Sequence, residues 1–383
     1  MNHPGPVEVK PIPLFSLEFD RSDREAADAV LESGWMTAGA RVAKFEADFG
    51  RALGADQVVA LSSCTAALHL ALAIYDVGPG DEVIVPALTF VAAANMVVAR
   101  GAIPVFADVL SLEEPNIDPH SVERVLTERT KAVIPVHYAG YPCRMDELRD
   151  VAEGAGMVVI EDSAHACITQ TKAGACGTLS DAGTFSFFSN KNLAIGEGGA
   201  LVIRDEDRAN RARLLRSHGM THQTLDRHRG HAYSYDVTEA GFNYRWDELR
   251  AAVGMQRLSR LPGALERRSD LAREYRARLS ELAPGVTIPF SSDTESVPAH
   301  IFPILLPPGS NRDAVMGHMR EQGIQTSIHY PLIPAFRGYR LDPAGEWGVA
   351  GEYCGRVVTL PFYPEMSDDD VSRVATELGR CLR

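Results

Sequence analysis

The sequence predicts an α/β protein with a mostly parallel, mixed sheet flanked by helices, followed by a smaller C-terminal α/β domain. Short apolar runs alternate with helical stretches from about residue 23 to 205, which is the pattern of a parallel sheet. The 383 residues and 45% hydrophobic content suffice for one large core and a smaller second one. The low aromatic content of 7% favours helices packed on a sheet over a β-sandwich. We divide the chain into an N-terminal arm (1–22), a large domain (23–262) and a small domain (263–383).

The elements of the large domain follow from these runs in chain order. Strands are expected at 58–61, 81–85, 104–108, 132–136 and 157–161, and helices at 23–33, 43–53, 64–75, 91–100, 119–128 and 144–153. Two strands joined only by a loop follow at 183–188 and 199–203, with helices at 205–216, 246–258 and 264–282. In the small domain we expect strands at 300–306 and 324–328, and helices at 311–322, 346–355 and 368–380.

Composition excludes several classes of partner. The formal net charge of −13 argues against nucleic acid or an anionic membrane as the main partner. We find no uncharged apolar run of about 18 residues, so no membrane span is expected. The six cysteines form no C-x-x-C pair and follow no signal peptide, which favours reduced thiols and a cytoplasmic protein.

Lys191 is the lysine whose position suggests chemistry. It follows the apolar run GTFSFFSN and precedes the Gly-rich stretch IGEGGALV, which places it at the end of a central strand. A buried amine has a lowered pKa and can attack a carbonyl to form a Schiff base. The competing interpretation is an ordinary lysine in a surface loop.

Asp162 and His165 lie in EDSAHA, directly after the predicted strand 157–161. A carboxylate at that strand end needs a cation or hydrogen-bond donors, and a protonated pyridine nitrogen would be such a partner. Asp162 could equally cap a helix or bind a metal. His165 either packs against a bound ring or is a structural histidine.

Hydroxyl groups and an aromatic ring complete the candidate site. Ser62–Ala66 joins a strand to an apolar helix, and the first N–H groups of a helix form a natural phosphate site. The serine and threonine residues of this segment are explained equally well as an ordinary helix cap. Ser186 lies on the Lys191 strand, and Phe90 of PALTF follows another strand, where it would stack on a planar ring or join the core. No G-x-x-x-x-G-K-[ST] motif occurs, and Gly154-Ala-Gly156 precedes its strand, so nucleotide loops of those types are not expected.

In combination these stretches resemble the DegT/DnrJ/EryC1/StrS family of sugar aminotransferases, which have the fold-type I aspartate-aminotransferase fold. The resemblance runs from about Ser33 to the C-terminus and is carried by SSCTAALHLAL, GDEVIVPALTFVAAAN, IPVFADV, TKAVIPVHYAG, VVIEDSAHA, GTFSFFSNKNLAIGEGGALV and GFNYRWDELRAAVG. It implies pyridoxal 5'-phosphate as the cofactor, with pyridoxamine 5'-phosphate as its amine form. A branch with histidine at the lysine position performs dehydration; Lys191 therefore favours transamination.

The resemblance also implies roles for single residues. Lys191 would hold the cofactor as an imine and then move a proton, Asp162 would pair with the pyridine nitrogen, and His165 would lie near the ring. Thr65, Ala66 and Ser186 would hold the phosphate, and Phe90 would stack on the ring. Asn243, in GFNYR, would reach the phosphate of a neighbouring subunit, which implies a homodimer with shared sites.

The implied reaction moves an amino group from glutamate to a keto-sugar, in a ping-pong cycle. The stretches VHYAG and EDSAHA resemble the corresponding sequences of enzymes that aminate C4 of a 4-keto-6-deoxy nucleotide sugar. The alternatives are amination at C3, a keto-cyclitol acceptor with glutamate or glutamine as donor, and, more remotely, a cofactor-binding regulatory protein without turnover.

Two further segments are candidates for substrate contacts. His218, His222, His228 and His231 fall in a loop without helical period, so we expect no metal site there. Arg227 and Arg229 of that loop would instead cover the substrate's phosphates or the subunit contact. His329 and Tyr330, in SIHYPLIP, would line the sugar pocket, unless they belong to a packed loop before Pro331.

Overall fold

A seven-stranded sheet forms the centre of the computed structural model, which describes residues 10–221, 234–291, 297–339 and 347–382. The strands in chain order are β1 (Val58–Leu61), β2 (Glu82–Pro86), β3 (Ile103–Ala107), β4 (Thr130–Val133), β5 (Val158–Asp162), β6 (Gln170–Thr171), β7 (Gly174–Ala175), β8 (Ala182–Ser186), β9 (Gly199–Ile203), β10 (Phe302–Leu305) and β11 (Val357–Leu360). The order in the large sheet is β1-β9-β8-β5-β4-β2-β3. Of these seven strands, β9 alone runs against the others, so the prediction of a mostly parallel, mixed sheet is confirmed.

Helices cover both faces of this sheet and make up much of the C-terminal part. They are α1 (Arg21–Ser33), α2 (Ala40–Leu53), α3 (Cys64–Ile74), α4 (Ala92–Ala99), α5 (Pro119–Arg124), α6 (Met145–Ala155), α7 (Glu206–Leu215), α8 (Glu248–Leu282), α9 (Arg312–Glu321), α10 (Gly348–Arg356) and α11 (Asp368–Cys381). The apolar helix α3 is buried along most of its length because it lies against the sheet. Polar residues fix the helix ends: Asp20 and Asp23 form a capping box at α1, which ends at Gly34 in the left-handed region (φ 67°).

Six of the seven strands have their carboxyl ends at one edge of the sheet, and four of them lead into the segments that carry the candidate residues. Because β1, β2, β5 and β8 point the same way, the residues that follow each of them meet there, and α3 begins there. Below this edge, Phe45 and Phe49 of α2 pack edge-on against Phe187, which fixes the segment that leads from β8 to Lys191. The site residues therefore rest on a rigid apolar base.

In the C-terminal half, one predicted helix break and one predicted strand were wrong. The helices expected at 246–258 and 264–282 are one helix, α8, which continues through Pro262 because Leu261, Leu271 and Tyr275 are buried on both sides of it. The strand expected at 324–328 forms only single bridges, since β11 takes the place beside β10. The small sheet is thus an antiparallel pair, and α8 crosses the predicted domain boundary at 262/263; the domain division itself stays a prediction.

The segment before α1 packs on the C-terminal part of the chain. Ile12 is 2% exposed; its N–H donates to the Gly323 carbonyl (2.8 Å), and its carbonyl accepts from the Gln325 N–H (3.0 Å). Backbone hydrogen bonds therefore tie Ile12 to the segment that follows α9. Among the helices of the described ranges, none combines the length and the apolar character needed to cross a bilayer.

Candidate active site

A cavity of about 320 Å³ opens at the edge where the four strands end. Its lining brings together predicted site residues from the whole length of the chain, namely Thr65, Phe90, Asp162, His165, Ser186, Lys191, His329 and Tyr330. A cavity of this size is at the lower end of ordinary small-molecule sites. The residues predicted from separate strand ends thus meet in one place.

Lys191 supplies the amine of the cavity. The loop after β8 carries it, and its backbone N–H donates to the Phe188 carbonyl (2.9 Å). Its Nζ lies 3.4 Å from Nε2 of His300. Burial lowers the pKa of Lys191 to about 8, against the opposing attraction of Asp162 and Cys64. A much larger fraction of this amine is uncharged near neutral pH than for an exposed lysine, which makes it a competent nucleophile and base.

Asp162 is the last residue of β5 and its side chain is buried. The Oδ1 atom accepts the Ala164 N–H (3.0 Å), and the Cys64 thiol lies 4.0 Å from the same oxygen. Burial raises the pKa of Asp162, since these contacts and the nearby Lys191 and His137 do not fully replace water. Within the described ranges no ion pair at hydrogen-bonding distance neutralises this carboxylate, so it is suited to receive a cationic group of a ligand.

His165 and Tyr330 are neighbours in the cavity wall. The Tyr330 hydroxyl lies 2.9 Å from Nε2 of His165, whereas the buried Nδ1 of His165 has no hydrogen-bond partner among the described residues. Burial, with Lys191 and His329 adding repulsion, holds the pKa of His165 well below its usual range. His165 is therefore a neutral ring in the cavity wall.

His329 is fixed beside Tyr330 on the C-terminal side of the cavity. Its Nδ1 lies 3.0 Å from the Thr359 hydroxyl, and its carbonyl accepts from the Tyr138 hydroxyl. Burial lowers the pKa of His329 to about 4, with repulsion from Lys191 adding to the shift. The SIHYP segment is thus anchored on both sides, while both side chains still line the cavity.

The N-terminus of α3 provides the hydroxyls and N–H groups. Ser63 caps the helix, because its Oγ accepts the Ala66 N–H (3.1 Å). Thr65 lines the cavity, and so does Ser186 from the end of β8. A helix cap and a phosphate site can therefore coexist here, because Ser63 caps the helix while Thr65 lines the cavity. The Ala66 N–H, however, already donates to Ser63.

The other predicted residues lie further out. Phe90 is 55% exposed at the cavity, with its ring centre 5.8 Å from that of Tyr330. Asn243 is exposed and pairs with Ser217 rather than lining this cavity. Arg227 and Arg229 lie outside the described residues, as do His222, His228 and His231. The described residues contain no group of three side chains arranged to hold a metal ion.

A buried polar network lies behind Asp162. Glu161, the preceding residue of β5, accepts hydrogen bonds from His137 Nε2 (2.9 Å), Gly177 N (2.7 Å), Leu179 N (2.8 Å) and Ser180 Oγ (2.8 Å). The Cys143 N–H points at Nδ1 of His137 (3.0 Å), so Nδ1 is the acceptor and Nε2 carries the proton. This network holds the strand end that presents Asp162.

Several residues at the site were not among those predicted from the sequence. Cys64, Thr89 and Asn190 line the cavity, and each is next to a residue that was selected. Their positions next to these predicted residues were the only sequence signal that could have identified them. His300 was missed entirely, because no local motif connects it with Lys191.

These features define a pyridoxal-phosphate-dependent enzyme. The cavity offers an enclosed amine to the aldehyde, a buried carboxylate without a cation to the ring nitrogen, an unpartnered ring nitrogen on His165, and hydroxyls at a helix N-terminus to the phosphate. The aldehyde, the ring nitrogen and the phosphate of that cofactor each have a suitable counterpart.

Comparisons with known proteins agree. The sequence model of the "DegT/DnrJ/EryC1/StrS aminotransferase family" matches residues 18–379. The "spore coat polysaccharide biosynthesis protein SpsC" of Bacillus subtilis is 39% identical over 355 residues, or 90% of each chain. A sugar aminotransferase of Streptococcus pneumoniae described as putative, Spr1654 in its PLP form, aligns with a TM-score of 0.90 and 27% identity over 97% of this chain and 99% of that one. DesI, solved "in the presence of its TDP-sugar product", aligns with a TM-score of 0.87 and 31% identity over 97% and 93%.

The chain belongs to the DegT/DnrJ/EryC1/StrS aminotransferase family. It is a PLP-dependent sugar aminotransferase with the fold of those enzymes, and the predicted cofactor, fold class and enzyme class are confirmed.

Proposed function

We propose that the protein transfers an amino group from glutamate to a nucleotide-linked keto-sugar, at C4 of a 4-keto-6-deoxy sugar. Glutamate would leave its nitrogen on the cofactor in a first half-reaction, and the keto-sugar would take it in the second. The observation that carries the proposal is the enclosed Lys191 amine in a cavity that also holds Asp162. DesI, the relative solved with a TDP-sugar product, supports a nucleotide-linked acceptor, and the stretches VHYAG and EDSAHA support C4.

The residues of the cavity divide the work by their chemistry. When bound, the cofactor supplies an electron sink for the electrons left on carbon as a proton is removed. We assign Lys191 as the attachment point and as the base that moves this proton, because its amine is the enclosed one with a lowered pKa. Asp162 would keep the ring nitrogen protonated, and His165 would pack against the ring.

The remaining assignments concern the phosphate and the sugar. Thr65 and Ser186 would bind the phosphate where α3 begins and β8 ends, with the Ala66 N–H exchanging the Ser63 hydroxyl for a phosphate oxygen, and Phe90 would stack on the ring from the cavity mouth. His329 and Tyr330 would contact the sugar, since both line the cavity and come from the C-terminal part of the chain. Arg227 and Arg229 would bind the nucleotide's phosphates.

We also propose a homodimer with shared active sites. Asn243 is exposed and lies outside the lining of its own chain's cavity, as expected for a residue that serves a second copy. A cytoplasmic location is supported by the cysteines, none of which forms a disulfide.

The decisive experiment is a substrate screen of the purified protein. Glutamate and glutamine would each be tested as donor with 3-keto and 4-keto nucleotide sugars and with keto-cyclitols, and products identified by mass and NMR. We expect glutamate-dependent amination at C4 of a nucleotide sugar. Amination at C3, or of a cyclitol, would replace the proposed acceptor; no turnover with any acceptor, together with an unchanged visible spectrum on adding glutamate, would favour a non-catalytic role.

The role of Lys191 has a separate test. Borohydride reduction makes the bond between cofactor and lysine permanent, and peptide mapping then locates it; we expect Lys191. Lys191→Ala should lose the visible absorbance of the attached cofactor and reduce turnover by about 10²–10⁴-fold or more. Lys172→Ala, an exposed lysine in a turn, is the matched control and should behave as the wild type.

A further inference from the structure

His300 is a buried histidine in contact with the catalytic amine, although it does not line the cavity. It precedes β10, is 3% exposed, and its Nε2 lies 3.4 Å from Lys191 Nζ. Its ring centre is 4.4 Å from that of His165, so it fills the space behind the lysine. The functional assignments above give it no role.

The surroundings of His300 determine which ring nitrogen carries the proton. Asn192 donates its Nδ2 to the Pro298 carbonyl (3.3 Å), which orients the amide, because that carbonyl can only accept. The Asn192 Oδ1 then faces Nδ1 of His300 at 3.3 Å. Since an amide oxygen cannot donate, Nδ1 bears the hydrogen, and the lone pair of Nε2 points at Lys191.

The backbone of His300 is held as firmly as its ring. Its N–H donates to the Ala139 carbonyl (2.7 Å), and its carbonyl accepts from the guanidinium of the buried Arg268 (3.0 Å). Gly140 lies against it with φ 101°, and a Cβ there would come within 3.2 Å of the His300 nitrogen. The ring therefore has one placement relative to Lys191.

We propose that His300 is a positioning residue that accepts a hydrogen bond from the Lys191 amine whenever that amine is free. In the uncharged state the amine gives one N–H to Nε2, which leaves its lone pair free to turn toward the cavity. No bond to carbon forms or breaks in this contact. The inference rests on the proposed role of Lys191, but the contact itself belongs to the chain without cofactor.

The charges around Lys191 support an acceptor rather than a second cation. Burial, with repulsion from Lys191, holds the pKa of His300 well below its usual range, so its ring is neutral at physiological pH. The other titratable groups facing the amine are Cys64, Asp162, His165 and His329. None of them is altered by the substitutions at His300, so a change in the Lys191 pKa reports on the His300 ring.

The test measures the pKa of Lys191 directly, in the full chain freed of cofactor. The rate at which acetic anhydride acylates Lys191 is followed against pH by peptide mapping, in the wild type, His300→Leu, His300→Gln and Asn192→Ala. A neutral acceptor binds the ammonium form more strongly than the amine, so His300→Leu should lower the pKa by about one unit. His300→Gln, which places an amide oxygen near Nε2, should stay within about 0.3 units of the wild type.

Each other outcome contradicts the proposal. An unchanged pKa in His300→Leu means no hydrogen bond, a raised pKa means that His300 is charged, and equal falls in the Leu and Gln variants mean that only packing matters. Asn192→Ala keeps the imidazole of His300 but removes the partner that holds its proton on Nδ1. We therefore expect a smaller fall in the pKa of Lys191 in this variant, which can be measured even if His300→Leu fails to fold. His318→Gln, a distant histidine paired with Glu377, is the control. If borohydride mapping fails at Lys191 while these shifts appear, the cofactor assignment fails and the contact stands.

Discussion

Glu161 and His137 form a fully buried hydrogen-bonded pair directly behind Asp162, with Oε2 and Nε2 2.9 Å apart and both side chains 0% exposed. Because Cys143 donates to the other ring nitrogen, the histidine is neutral and the carboxylate carries the charge. The adjacent residues Glu161 and Asp162 thus differ in role: the Glu161 carboxylate is fully occupied by hydrogen-bond donors of the protein, whereas the Asp162 carboxylate lines the cavity.

Replacing this carboxylate should destabilise the fold. In Glu161→Gln, either orientation of the amide places its NH₂ against a backbone N–H, that of Gly177 or that of Leu179. We expect a loss of about 3 kcal/mol in the free energy of unfolding, measured by urea denaturation. Glu25→Gln removes an exposed pair with Arg21 and should cost less than about 0.5 kcal/mol. Equal effects of the two changes would show that the buried network contributes little.

Neutralising Asp162 should affect the reaction rather than cofactor attachment. Asp162→Asn retains the shape of the side chain but removes the charge that would keep the ring nitrogen protonated, so the half-reaction with glutamate should slow by about 10²–10⁴-fold. Stopped-flow absorbance would measure that rate. Asp56→Asn, an exposed aspartate in the turn before β1, is the control. A near-normal rate in Asp162→Asn would remove the proposed role.

Cofactor uptake should depend on pH through Lys191. Its pKa is lowered to about 8, so the reactive amine form predominates above pH 8 instead of above 10.5. The rate of covalent uptake by the cofactor-free chain should rise about tenfold per pH unit below pH 8 and then level off. N-acetyl-lysine provides the reference and should keep accelerating to about pH 10. A protein curve that follows the reference would contradict the lowered pKa.

Shared sites predict recovery of activity in mixed dimers. Asn243→Ala should weaken cofactor retention by about tenfold or more, as for a lost hydrogen bond to a charged group. Mixed with Lys191→Ala and allowed to exchange subunits, it forms heterodimers in which one of the two sites has both residues. Activity should recover to about a quarter of the wild type, since half of the dimers are mixed. If each chain completes its own site, the mixture shows only the sum of its components.

Local sequence patterns were sufficient to predict Asp162 and Lys191, but not the residues that hold them in place. Asp162 and Lys191 each follow a strand in sequence, and parallel strands bring such positions to one edge, so their meeting could be predicted. His300 lies 109 positions from Lys191, and only the packing of the C-terminal part against the sheet brings them together. The four donors of Glu161 come from two segments, His137 after β4 and the turn Gly177 to Ser180 before β8, and no local pattern around Glu161 indicates either of them.

The errors in secondary structure have the same origin. Proline usually ends a helix, so a break near Pro262 was the local expectation, but α8 is buried on both sides of it and tertiary packing prevails. The run VVTL at 357–360 was not predicted as a strand, although it is as long as the run VVAL at 58–61 that was; it pairs with Phe302 to Leu305, more than 50 positions earlier.

The attachment of the N-terminal segment has a consequence for synthesis and for engineering. Leu14 bonds to the Gln325 side chain, 311 positions later, so the residues made early gain their partners only when the last part of the chain has left the ribosome. Until then Ile12 stays exposed to solvent. A variant trimmed past Ile12 would leave the apolar residues beside it, such as Ile324, exposed permanently, and we expect it to aggregate on expression even with every catalytic residue intact.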